Sequence, residues 1–122
     1  MNEDDVLEFA RTALASVWAL ELLLLLHRSP EGAWQEEELV APLRANARVV
    51  AECLAALSGK GLVATDDIGR YRYRPASATL IEAVDALAEL YARKPLAVTN
   101  AILSGRNDKI RTFADAFRFR TR

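Results

Sequence analysis

The sequence predicts a mainly α fold that carries one small β-hairpin. Three observations predict it. Apolar residues recur at spacings of three and four along most of the chain. Glycine and proline fall at a few punctuating positions rather than throughout. One stretch, "IGRYRYRP" (residues 68–75), instead alternates residue by residue.

Residues 3–28 read as helix, because they contain no Gly or Pro and are rich in Ala and Leu. Val6, Phe9, Ala13, Val17, Leu20 and Leu24 form one apolar stripe. From Val17 to Leu26 nearly every side chain is apolar, which predicts burial on most sides. Ser16 is a competent N-cap and would split the segment in two. "HRSPEG" closes it with Pro30 and Gly32. "AWQEEELVAPLRA" follows, an extended Trp34 and then a short helix. Glu36, Glu37 and Glu38 lie in its first turn, where the helix dipole favours negative charge. Leu39, Val40 and Leu43 supply its buried side, and Pro42 requires it to be short or kinked.

Asn46 is an N-cap for the helix "ARVVAECLAALSGKG". Val50, Leu54 and Leu57 are its inner stripe, flanked by Val49 and Cys53, and Gly59 or Gly61 ends it in a left-handed cap. A hairpin comes next. Leu62 and Val63 begin one strand, "DDIG" turns, and Tyr71 and Tyr73 alternate with Arg70, Arg72 and Arg74 on the return. "SATLIEAVDALAELYARK" is a further helix capped by Ser77 or Thr79. Its stripe is Leu80, Val84, Leu87 and Tyr91, widened by Ile81 and Ala88. Pro95 restarts the helix, "SGRND" breaks it, and Ile110, Phe113, Ala114 and Phe117 share one side of a last turn or two.

Composition narrows the function. A chain of 122 residues, 52% hydrophobic and 27% charged, suits one folded domain with a real core. The single Cys53 excludes an intramolecular disulfide, and with His27 as the only histidine the usual zinc ligand sets cannot be assembled. No phosphate-binding loop or nucleophile elbow is present, so no catalysis, metal or cofactor is expected. "ALELLLLLH" is interrupted by Glu21 and too short to span a bilayer, and nothing around it reads as a secretory signal. A cytoplasmic protein without a membrane partner is expected. Residues 1–67 hold 12 acidic and 5 basic side chains, and residues 68–122 hold 5 and 11. This split suits either a polyanion-facing second half or mutual attraction within a dimer.

The order of elements resembles the winged helix-turn-helix transcription regulators, particularly the MarR-type, ArsR-type and PadR-type families. The resemblance covers about residues 16–92. It is carried most by Val50, Leu54 and Leu57, then Lys60-Gly61-Leu62-Val63, then the charged hairpin. It implies a helical extension over 1–15, a winged helix-turn-helix domain over 16–76, and dimerisation helices with a basic tail over 77–122. It further implies a homodimeric regulator that binds double-stranded DNA, with a recognition helix (46–58) in the major groove and a wing (62–74) on the flanking backbone.

The contacting positions map onto Arg44, Asn46, Arg48, Val49, Ala51 and Glu52, and onto Arg70, Arg72 and Arg74 of the wing. Arginine pairs with guanine at two points, and asparagine reaches adenine or phosphate. Glu52 departs from the family, where a basic or neutral polar residue is common, and Ala47, Ala51 and Ala55 offer only van der Waals contact. The alternative is a winged helix that binds protein instead, such as a sigma factor, another regulator or RNA polymerase. Under both readings Val6, Phe9 and Ala13, together with Leu80, Val84, Leu87 and Tyr91, exceed what a three-helix core covers and predict a dimer. The other outcome is that these stripes pack back on their own domain.

Overall fold

Ser16 decides the geometry of the N-terminal third. Its hydroxyl accepts a hydrogen bond from the Ala19 backbone N–H at 3.1 Å, which starts a new helix. The long segment therefore divides into α1 (Glu3–Ala13) and α2 (Val17–Arg28), bent by 111° at the break. Neither is long and apolar enough to cross a membrane, nor is any other single helix among the described residues. The structure, a computed structural model, describes residues 1–105. The expected break at residues 104–108 falls mostly outside them, and the expected turns with Ile110, Phe113, Ala114 and Phe117 lie wholly outside.

Three further helices follow the pattern read from the sequence: α3 (Glu36–Leu43), α4 (Ala47–Gly59) and α5 (Ala78–Arg93). A sixth, α6, occupies residues 95–105, with Pro95 at its first position. Pro42 sits in the last turn of the eight-residue α3, where little helix remains for it to disrupt. Asn46 caps α4 through Val49 N–H at 2.9 Å, and Ser77 rather than Thr79 caps α5. Gly61, at φ +73°, ends α4. Its N–H reaches the Ser58 carbonyl at 3.1 Å and that of Leu62 reaches Leu57 at 3.0 Å, the paired bonds of a Schellman motif.

Strands β1 (Val63–Thr65) and β2 (Tyr71–Tyr73) pair antiparallel, with Val63 opposite Tyr73 and Thr65 opposite Tyr71. Trp34 bridges the other edge of β2. Its N–H donates to the Tyr71 carbonyl at 2.9 Å and its carbonyl accepts from Tyr71 at 2.7 Å. Gly32 allows this placement, since a Cβ there would stand 2.8 Å from the Trp34 indole nitrogen. The hairpin is thereby stitched to the chain segment that leads into α3.

One apolar cluster runs through the fold. Leu20, Leu22, Leu23 and Leu26 of α2 are fully buried against Val50, Leu54 and Leu57 of α4, Leu39 of α3 and Leu62. α1 packs on α5, bringing Val6 and Ala10 into the same cluster as Val84, Leu87 and Leu90. This corrects the reason given for a dimer. Val6, Val84 and Leu87 are buried within the chain, and Phe9, Ala13, Leu80 and Tyr91 are half-buried against the same core. α1 covers the surplus that a three-helix core would leave exposed.

Candidate nucleic-acid interface

A three-residue connection at 44–46 joins α3 to α4. The connection is short because Arg44 adopts a left-handed conformation (φ 56°, ψ 40°) that turns the chain at once. Its N–H still bonds back to the Ala41 carbonyl at 3.1 Å. Asn46 then spends its side-chain oxygen on capping α4, so this atom is committed to the helix rather than presented to a base. Arg48 projects from the first turn, with a side chain 87% exposed.

The outward face of α4 carries Ala47, Arg48, Glu52 and Ala55. Val49, expected among the contact residues, is half-buried and packs on the core, and Ala51 is half-buried as well. Both lie a helical step away from the exposed stripe. Arg48 Nε donates to Glu52 Oε1 at 3.0 Å. The only cation on the helix is therefore paired with an acid one turn along the same face.

The wing has its own organising residue, Asp66, which the sequence reading treated only as part of a turn. One carboxylate oxygen accepts from the backbone N–H groups of Ile68 (3.0 Å) and Arg70 (2.9 Å). The other accepts from Arg70 Nε at 2.9 Å, with Arg72 Nε at 4.0 Å. Gly69, at φ +81°, completes the turn, its N–H bonding to the Asp66 carbonyl at 3.1 Å. The Arg70 backbone N–H, more than any other group, holds the Asp66 carboxyl below the usual carboxylate range. The signal was in the sequence, since an aspartate three residues before a glycine is a recurring turn opening.

As expected from strand alternation, the tyrosines face the other way. Tyr71 and Tyr73 pack on the core, and the Tyr71 hydroxyl donates to Glu36 at 3.3 Å. Burial pushes the Tyr73 phenol up to about 12, with the Asp85 carboxylate adding to the shift. The His27 ring meets Tyr73 edge-on at 5.3 Å, while its Nε2 lies 2.8 Å from Asp85 Oδ1. The far side of the wing is thus clamped between α2 and α5.

Arg44 lies in the turn, Arg48 on α4, and Arg70, Arg72 and Arg74 on the hairpin, and the five differ in their partners. Arg70 locks a turn, Arg48 is paired within its helix and Arg72 stands near Asp66. Among the described residues Arg44 and Arg74 make no ion pair. No group of three or more His, Cys, Asp or Glu side chains is placed to hold a metal ion among the described residues. Cys53 is buried in α4, and that burial pushes its thiol up, which leaves little thiolate to react. Comparison with protein-family models, with curated proteins and with solved structures gives no match to this chain.

Proposed function

We propose that this protein is a DNA-binding transcriptional regulator of the winged helix-turn-helix type. It would lay the first turn of α4 in the major groove and rest its wing on the flanking phosphates. One observation carries the reading. Arg48 stands exposed in the first turn of α4, and the hairpin that follows α4 has an arginine side fixed by Asp66, a tyrosine side packed on the core and an edge paired with Trp34.

The Arg48–Glu52 pair does not oppose this reading by much. An exposed i,i+4 ion pair contributes about 0.3–0.5 kcal/mol, and the order cation-then-acid is the weaker one. A bidentate contact from arginine to guanine discriminates by about 1–3 kcal/mol, so the base contact wins. Glu52 then remains near phosphate and weakens binding to every sequence alike. Reading an inverted repeat requires two copies about one helical turn of DNA apart. With the long stripes buried inside the chain, the apolar residues left for a seam include Ile81 and Leu103, 43% and 44% exposed.

Selection of bound sites from a random duplex pool tests the proposal. Enrichment of an inverted repeat, with affinity falling steeply as salt rises, is the expected result. A second reading, a winged helix that binds a protein of the transcription machinery, is favoured by the internal pairing of Arg48 with Glu52 and of Arg70 with Asp66. Failure to retain duplex DNA at low salt would sink the first reading and leave the second.

A further inference from the structure

We propose that proton uptake by His27 tightens a latch that holds the wing between α2 and α5. His27 is the one histidine in the chain, and it sits in the last turn of α2, where three elements meet. Its ring stands edge-on to Tyr73 of β2 at 5.3 Å, and its Nε2 lies 2.8 Å from Asp85 Oδ1 of α5, 58 positions away in sequence. The His27 side chain is 23% exposed, so water and salt screen the contact less than they screen an open ion pair. Asp85 is exposed, which holds the gain to a few-fold.

A carboxylate only accepts hydrogen bonds, so Nε2 carries the hydrogen in the neutral ring and Nδ1 takes up the next proton. Uptake turns a hydrogen bond into an ion pair, at the C-terminal end of a helix where the dipole also favours a cation. Loss of that proton slackens the latch. Asp85 is the one charged side chain bonded to His27 among the described residues. Arg28 and Glu31, close in sequence, are exposed, as is Glu89 one turn along α5. Glu82 of α5 meets the Met1 amine instead, at 4.0 Å. Arg72 and Arg74 alternate to the opposite side of the strand from Tyr73. The latch acts whether or not the wing meets DNA, and its test uses no DNA.

NMR of the full chain at pH values around 6 to 8 tests the proposal, in the window where histidine changes charge. Asp66 titrates below this window and Tyr73 above it. The amides of Tyr71 and Arg74, bonded to the Trp34 and Leu62 carbonyls, report the wing. Their exchange protection, corrected for the intrinsic rate, should fall by about twofold or more as pH rises across the window, the size expected of a partly exposed ion pair. Their shifts should move in step with the His27 ring. His27→Gln keeps a donor toward Asp85 without the titrating charge, and Asp85→Asn removes the anion, so in both variants protection should stay constant. The Met1 amine is retained in both, so a fall that persists in them arises elsewhere and overturns the proposal. Constant protection in the parent chain, or wing shifts that ignore the His27 ring while it titrates, would overturn it as well. Those two readings need no variant, so a variant that failed to fold would not shield the proposal.

Discussion

Glu52 holds the Arg48 guanidinium at 3.0 Å, one helical turn along the exposed face of α4. If α4 reads DNA, these two residues act in opposite directions. Arg48→Ala should cost about 1–3 kcal/mol at a selected site and relax the preference for one base pair there. Glu52→Gln should tighten binding to specific and random duplexes alike, since it removes a charge near the backbone and releases Arg48. Titrations of both variants on both duplexes check this. A neutral Arg48→Ala on the selected site refutes the assignment of α4.

The wing arginines should separate by role. Arg72→Ala should weaken binding about equally across sequences and lower the salt slope by roughly one unit, because one phosphate contact and its counterions are lost. Arg70→Ala should instead loosen the turn, since its Nε is bonded to Asp66. Amide exchange at Ile68 and Arg70 reads the second effect, and the salt dependence of affinity reads the first. Equal salt slopes for Arg72→Ala and the parent chain would remove the wing from the interface.

Acid should release the wing before the core. The Asp66 carboxyl lies below its unfolded value, so its contribution is present above that unfolded value and lost as pH falls through the folded one. The Ile68 and Arg70 amides, both bonded to this carboxylate, should lose protection in that acid window. At the other extreme Tyr73 is raised to about 12, so the stability it contributes is full below the ordinary phenol value and is lost as pH rises through about 12. Phenolate absorbance should show a late-titrating tyrosine that Tyr73→Phe removes. A tyrosine spectrum that titrates wholly at the ordinary value contradicts the packing described for β2.

The hydroxyl of Tyr73 is buried with no hydrogen-bond partner among the described residues. Tyr73→Phe should therefore leave stability unchanged or raise it by up to about 1 kcal/mol. Tyr73→Ala should lower it by about 2 kcal/mol, less than for a fully buried ring because Tyr73 is only half-buried. Denaturant melts of the two variants compare the costs directly.

Arg44 is a non-glycine residue in the left-handed region, a conformation that costs roughly 1 kcal/mol for a residue with a Cβ. Arg44→Gly should stabilise the chain by about 0.5–1 kcal/mol. Gly61→Ala should destabilise it, because φ is +73° and the added Cβ would stand 3.3 Å from that of Ala76. Opposite shifts in melting temperature are the expected outcome.

How far these features were legible depends on whether they are local. The cap Asn46 and the alternation of Tyr71 and Tyr73 are written within a few residues and stand where the sequence placed them, whereas Ser77 over Thr79 and Gly61 over Gly59 were alternatives that the structure decides. Ser16 was recognisable as a cap, yet the 111° bend that follows depends on what α1 packs against. That partner is α5, more than sixty residues away, and no periodicity reveals which of two apolar stripes will meet. The same limit applies to Arg48. Its spacing from Glu52 was visible, but the exposure of both side chains and the inward turn of Val49 required the packed helix.

The clasp of α1 on α5 also sets an order of events in folding. Lys94 Nζ donates to Glu3 at 2.9 Å across 91 positions of sequence, and Val6 and Ala10 share a cluster with Val84 and Leu87. Contacts of such long separation carry a large loop-closure cost and form slowly. On the ribosome the first helix must therefore wait, with Val6 and Ala10 uncovered, until residues as far as α5 have emerged. α3, α4 and the hairpin, built from neighbours in sequence, can assemble before that moment. α1 then docks only after elements made well after it.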